Sequence, residues 1–442
     1  MEISRRTFLG TGLGTSLATG LAATAAGALV PRVVAEVAAG DTAQASAPLP
    51  PAFGKLRPIA GRVRAISTEE FHGRVEHAQR LMSEMEADRG MAAIFVTPGT
   101  SLYYFTGIRW WPSERLFGLL VPRKGEPALV CPAFEEGRAR EQLRWPMEVR
   151  VWQEDESPYQ VAAGILADRG VRAGTVGIEE STRFMFYDGL RTAAPALRYE
   201  SADTVTMGCR ARKSPAELEL MRLANHATVD CYRAVFASLR EGMTQLDVAA
   251  LVERGFEAMG LHGDGLVLFG QWAALPHGTV KPQNLHEGDV VLIDGGCAVE
   301  GYPADVTRTG ILGKPADKHR RAFDTVRRAQ DAALAAAQRG KLSGTVDDAA
   351  RAVITEAGYG KDYSVFTHRL GHGIGLDGHE HPYLVRGSRT VLETGMTFSD
   401  EPGIYLRGDF GLRLEDVMAV EENGAARLLT PGFSISLERP CG

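Results

Sequence analysis

The sequence predicts two domains, an α/β unit followed by an α+β unit. Three observations carry that expectation. Apolar runs of strand length alternate with helix-period stretches across residues 67–205. Residues 206–442 instead run helices, hairpins, helices, hairpins, a repeat of layout without a repeat of sequence. A chain of 442 residues, 44% hydrophobic, also suffices for two cores of ordinary size.

The elements are argued in order. Residues 1–45 hold the Arg5-Arg6 pair, a Gly/Ala/Thr-rich weakly apolar segment and small residues such as Ala43-Gln44-Ala45. This resembles a Tat-type export signal and implies a periplasmic or extracellular protein. Residues 46–66 are Pro-rich without apolar period and read as a linker. A helix starts at Ser67 or Thr68 as cap, carries Phe71, Val75, Ala78, Leu81, Met82 and Met85 on one face, and is expected to end at Gly90. "AAIFVTP" reads as a buried strand, and "LFGLLVPRKGEPALVCP" as a hairpin turning at Lys124-Gly125. Strands "VRVWQ" and "TVGIE" with helices near 157–169 and 182–191 complete the first domain. The second begins near 206 with a long helix capped by Ser214, with Pro215 at its first position. A helix from Thr244 to Met259 follows. Next come strands at 266–272, 290–298 and 304–312, helices at about 316–338 and 344–357, and further strands.

Composition excludes several classes. Formal net charge is −6 and no Lys/Arg run stands out, so no nucleic-acid partner is expected. The 5 cysteines are scattered without a CxxC, so neither a disulfide framework nor a thiolate zinc site is expected. Beyond the N-terminus nothing approaches the length of a membrane span, so no membrane association beyond export is expected.

Chemistry gathers in the second domain. Asp294 ends the run "VVLI", where an acid is costly to bury unpartnered. If the next turn centres on Val299-Glu300, Asp305 lies opposite it on one hairpin face, and two such anions need a cation between them. Glu401 closes a strand-like run before Pro402-Gly403, and Glu415 lies in the alternating stretch "FGLRLEDVMAV". The stretch "HRLGHGIGLDGHEH", residues 368–381, packs four of the chain's 11 histidines among four glycines. Its Gly373, Gly375 and Gly378 spell G-x-G-x-x-G, but Pro382 follows where a dinucleotide loop needs a helix. H-E-x-x-H is absent, so this is no zincin helix. One histidine with four carboxylates makes an oxygen-rich site favouring Mn²⁺, with Co²⁺ or Zn²⁺ able to bind. Four carboxylates outweigh one divalent charge, which argues for two divalent metal ions.

Four ordered blocks, "PHGTVKPQNLHEGDVVLIDGGCAVEGYPADVTRTG", "HRLGHGIGLDGHEHP", "SDEPGIY" and "GLRLEDV", resemble the M24 metallopeptidases, which include prolidase, Xaa-Pro aminopeptidase and methionine aminopeptidase. The stretch "GTSLYYFTGIRWWPSERLFGLLVPRKGEPALVCPAFEE" resembles the first domain of prolidase and creatinase-type members, a domain that methionine aminopeptidases lack. The resemblance implies a creatinase/prolidase-type domain over 67–205 and a pita-bread catalytic domain over 206–442. It implies metal ligands Asp294, Asp305, His372, Glu401 and Glu415, with Asp305 and Glu415 bridging two ions. Glu401 would also handle the proton of the attacking water. His277 and His379 would bond the substrate carbonyl, His368 would support or contact substrate, and Arg413 would hold Glu415. The implied substrate is a small, proline-containing peptide cut by an Xaa-Pro aminopeptidase or dipeptidase, and the implied assembly a homodimer. A creatinase-like hydrolase or a dimethylsulfoniopropionate lyase on the same scaffold is the rival, and a non-catalytic binding module a second.

Overall fold

The computed structural model describes residues 48–85, 90–432 and 434–442. The expected export signal, 1–45, lies outside them.

The first domain is a six-stranded mixed sheet in the order Glu148–Trp152, Ala128–Pro132, Gly118–Pro122, Met91–Val96, Gly174–Ile178, Leu197–Ser201. The hairpin turns where expected, with Gly125 at φ 95°. Helices cover both faces: Thr68–Glu84 packs on one, Pro158–Asp168 and Phe184–Ala193 on the other. Ser67 caps the first helix by accepting from the Glu70 N–H at 3.2 Å. That helix stops at Glu84, not at Gly90, because Met85 is already extended (φ −64°, ψ 145°).

The second domain repeats one pattern twice. Helices Pro215–Phe236 and Gln245–Ala258 pack on the sheet of Gly263–Phe269, Val290–Val299 and Val306–Ile311. Helices Asp317–Ala336 and Ser343–Glu356 precede a five-stranded sheet ordered Glu380–Leu384, Gly371–Gly373, Thr397–Asp400, Asp416–Val420, Ala426–Leu428. Capping is local chemistry: Ser214 and Glu217, and Thr244 and Asp247, form reciprocal boxes that satisfy the first amides of their helices.

Three expectations need correction. The segment 46–66 is no free linker. Its described part forms two 3-10 turns, Pro51–Lys55 and Ala60–Arg62. Phe53 and Ile59 are buried in the second domain's core, and the Ile59 N–H bonds Met259 O at 3.2 Å. Two apolar anchors make it a strap. The strand expected at 266–272 runs Gly263–Phe269 and ends because Gly270 turns to φ 48°. The boundary expected at 205/206 falls inside the helix Asp203–Arg210, whose Val205 and Cys209 belong to the first domain's core. Among the described residues no helix is long and apolar enough to cross a membrane.

Candidate metal centre

Asp294 sits within the strand Val290–Val299, and Asp305 just ahead of Val306–Ile311. They are not directly opposite. Asp294 pairs with Thr307 and Val299 with Tyr302, so the turn centres on Glu300-Gly301. Both turn residues have positive φ, 52° and 90°, as a tight two-residue hairpin requires. Moving the turn by one residue shifts the register by two, which keeps both acids on one face but places them diagonally.

His372 is the centre of the three-residue strand Gly371–Gly373, squeezed between two neighbours. A Cβ at Gly371 would lie 2.0 Å from Ser399 O, and one at Gly373 2.3 Å from His381 O. The glycines of this stretch therefore let strands close around the imidazole. Glu401 follows the strand Thr397–Asp400. Glu415 lies between the strands Phe410–Arg413 and Asp416–Val420, where the chain passes from a two-stranded sheet to the five-stranded one. Its N–H bonds Thr307 O at 3.1 Å, which ties it to the aspartate hairpin. Although the stretch alternates polar and apolar residues, Arg413, Glu415 and Val417 are all buried.

These five residues converge. Asp294, Asp305 and Glu415 can place one oxygen each within 4.8 Å of one another, and so can the ligand atoms of His372, Glu401 and Glu415. Asp305, His372 and His379 form a third such group. Asp305, His372 and Glu415 each belong to two groups, so the groups adjoin. His372 Nδ1 donates to Gly373 O at 3.1 Å, which leaves Nε2 as a lone pair. That lone pair faces Glu401 Oε1 at 3.4 Å and Asp305 Oδ2 at 3.6 Å. Acceptors thus face acceptors, and the donor set fits divalent ions.

The electrostatics agree. Burial pushes Glu401 up to about 8, with Asp294 adding to the push and Arg413 opposing it. Burial and their neighbouring carboxylates push Asp305 and Glu415 well above the usual range. Burial also pushes Asp294 up, but Arg413 and hydrogen bonds outweigh it and hold its carboxyl below the ordinary value. Burial drives His372 and His368 down to about 3, so both are neutral ligands or acceptors.

Arg413 does not grip Glu415 directly. One of its terminal nitrogens donates to Asp294 Oδ2 at 2.6 Å, while Nε stands 3.9 Å from Glu415. Nε instead donates to Thr307 Oγ1 at 3.0 Å. That hydroxyl lies 2.6 Å from both Asp294 Oδ1 and Glu415 Oε2. The other terminal nitrogen of Arg413 donates to Tyr405 OH at 2.9 Å, and that hydroxyl donates to His368 Nε2 at 2.7 Å. His368 completes the chain by donating from Nδ1 to Arg369 O at 2.8 Å. His379 is exposed at the rim, its ring stacked on His372 at 3.6 Å between centroids. His277 is also exposed. Thr307, Ser399 and Tyr405 were not foreseen. All three lie inside the recognisable blocks, but a hydroxyl in a strand carries no signal of its own.

The second domain matches the model of metallopeptidase family M24 over residues 219–422, and the first matches the creatinase/prolidase N-terminal domain over 74–212. An Xaa-Pro dipeptidase of Lactobacillus delbrueckii subsp. lactis is 34% identical over 76% of this chain and 92% of its own length. The chain belongs to family M24. Other M24 likenesses are also full-length. The Xaa-Pro dipeptidase of Pyrococcus furiosus is 32% identical across 80% of this chain and 97% of its own. The crystal structure of dipeptidase PepE from Mycobacterium ulcerans superposes with a TM-score of 0.77 at 33% identity, covering 84% of this chain and 98% of that one. As an M24 metallopeptidase the protein hydrolyses peptide bonds, and the family works with a dimetal centre.

Proposed function

We propose that this M24 enzyme is an Xaa-Pro dipeptidase or Xaa-Pro aminopeptidase, exported by its N-terminal segment, working with two manganese ions and acting on small proline-containing peptides. The observation carrying this reading is the overlap of ligand groups: Asp305, His372 and Glu415 each serve two neighbouring triads of His and carboxylate atoms. The oxygen-rich donor set supports manganese over softer ions. The full-length likeness to Xaa-Pro dipeptidases supports the substrate class.

Asp294, Asp305, His372, Glu401 and Glu415 would hold the two ions, which supply Lewis acidity toward the scissile carbonyl and toward water when bound. The protein's residues do the rest. Glu401 accepts the proton of the attacking water and returns it to the leaving nitrogen. His379 and His277, at the exposed rim, donate to the carbonyl oxygen as charge develops there. Arg413, through Tyr405, fixes His368 as a neutral acceptor beside the cluster. Proton transfer thus falls to one carboxylate and orientation to the histidines.

The test is an assay of the mature chain with added Mn²⁺ against Ala-Pro, an Xaa-Pro-Xaa tripeptide, creatine and dimethylsulfoniopropionate. Turnover of Ala-Pro is expected. Cleavage of the tripeptide alone assigns an aminopeptidase. Turnover of creatine or the sulfonium compound without any peptide rejects the proposal. Export is tested by fractionating cells that carry the gene with Arg5 and Arg6 replaced by Lys, and the expected homodimer by sedimentation.

A further inference from the structure

A second buried cluster of charges lies at the joint between the domains, next to the loop that carries His379. Arg210 ends the helix Asp203–Arg210, and Lys213 precedes the cap of Pro215–Phe236. Both are buried, and both hold Glu380: Lys213 Nζ at 2.6 Å from Oε1, and Arg210 on Oε2. Arg210 also binds Asp377 and donates to Ser101 Oγ at 3.2 Å. Thr100, in the first domain, donates to the other oxygen of Asp377. Asp377 and Glu380 flank Gly378-His379, so two anchored carboxylates bracket the histidine. The packing is tight enough that a Cβ at Gly375 would lie 2.4 Å from Glu380 Oε1 and 2.7 Å from Lys213 Cε.

We infer that Arg210 and Lys213 are positioning residues for His379: through Asp377 and Glu380 they fix the loop that presents its imidazole to the cluster, and so couple first-domain docking to the reacting centre. The inference rests on the role given to His379 above. His379 is exposed and has no hydrogen bond of its own among those described, only the stack on His372, so its position depends on the backbone on either side. The backbone is held from outside the catalytic domain, by a guanidinium belonging to the first.

The test is a double-mutant cycle on the Mn²⁺-loaded full-length enzyme, with kcat and KM for Ala-Pro and metal content measured throughout. Arg210→Ala is expected to lower kcat about tenfold or more, the scale of losing a partner that orients a working group, with metal content unchanged. Arg210→Lys should restore part of the loss. In a His379→Ala background, Arg210→Ala should cost less than about twofold, since its route is already cut. Equal losses in both backgrounds would overturn the inference, as would an Arg210→Ala enzyme with full kcat. Should Arg210→Ala fail to fold, Thr100→Val removes one of the first domain's two holds on Asp377 and leaves Arg210 in place. Its expected loss of about two- to threefold must vanish in the His379→Ala background, and persistence there overturns the inference. A fully active His379→Ala enzyme would overturn the role of His379 itself, a different result from additive losses on an impaired one.

Discussion

Two buried clusters of charge sit a few residues apart, and they are built on opposite principles. At the domain joint, Arg210 and Lys213 meet Glu380 and Asp377, each of whose carboxylate oxygens is taken by a donor, and Arg210 also faces the buried Glu179, which burial pushes up toward its neutral form. In the M24 centre, Asp294, Asp305, Glu401 and Glu415 crowd against neutral His372, and Arg413 pairs directly with Asp294. In the first cluster every oxygen of Glu380 and Asp377 meets a donor as folded. The second holds more negative charge than its own residues balance, and like charges at this spacing are costly in a buried setting. Balance marks a cluster that holds structure, and imbalance one that waits for a ligand of opposite sign.

The largest expected effect breaks the unbalanced cluster. His372→Ala removes the only imidazole in the triad with Glu401 and Glu415. Activity should fall by about 10⁴-fold, equivalent to ~5.5 kcal/mol of transition-state stabilisation, and metal content should drop toward one ion per chain. Elemental analysis alongside kinetics checks both. Retained metal with full turnover would remove His372 from the ligand set.

The next prediction sets the clusters against each other through stability. Glu380→Gln leaves buried Lys213 without an anion and Arg210 with Asp377 alone, and breaking a buried pair in this way costs about 3–5 kcal/mol. Glu415→Gln in metal-stripped protein should cost little, since burial and the neighbouring acids already favour its neutral form, which the amide resembles. Urea unfolding of both variants without metal decides this. If Glu415→Gln destabilises as much as Glu380→Gln, the contrast between the clusters is false.

The centre was largely legible in the sequence and the joint was not, for a physical reason. Asp294, His372 and Glu401 stand beside glycines or prolines in apolar runs, where acids and imidazoles need a partner, so local context betrays them. Arg210 and Lys213 are ordinary cations near a helix end. Their partner Glu380 lies 170 and 167 positions away, and only the fold brings them together. Phe53 and Ile59 were hidden differently, as single anchors in a Pro-rich stretch that reads as loose. The turn at Glu300-Gly301 was misplaced by one residue although a signal existed. A β-branched Val299 resists positive φ, and the glycine after Glu300 accepts it. The layout of helices and hairpins came through because period and capping are local, as Ser214-Glu217 and Thr244-Asp247 attest.

A third, smaller effect sharpens the comparison through pH. In metal-free protein Glu401 sits at about 8 against an ordinary 4.5, and Asp305 and Glu415 are raised in the same direction. The folded state then binds protons more tightly than the unfolded state between those values. Stability contributed by the neutral acids is present below about 4.5 and is lost as pH rises toward 8. Below about pH 6.5 the lowered His368 and His372 work in the opposite sense, so the window that isolates the acids is pH 7 to pH 8, where metal-stripped enzyme should melt at progressively lower temperature. Binding divalent ions requires the deprotonated acids, so Mn²⁺-loaded enzyme should show a flat or opposite trend, and loading near pH 7 should release protons. Calorimetric titration in two buffers of different ionisation enthalpy measures the release. A metal-stripped protein that gains stability between pH 7 and pH 8 would contradict the charge imbalance.

The smallest expected effect concerns Asp400, next to Glu401 in sequence. Its carboxylate is fully buried, and neither oxygen has a hydrogen-bond partner among the described residues. It stands across the strand pair from Asp416, which takes Arg308 at 2.6 Å and Gln330 at 2.9 Å. Burial and Asp416 push the Asp400 acid well above its usual range, so it is carried as a neutral group. Asn has nearly the same shape and no charge. Asp400→Asn should therefore change stability by less than about 1 kcal/mol, the size of one net hydrogen bond, and turnover by less than about twofold. A large loss of metal or activity would mean that Asp400 is ionised beside Glu401. The negative charge of the centre would then extend one residue further back along its strand, and the boundary between the balanced and unbalanced clusters would have to be redrawn.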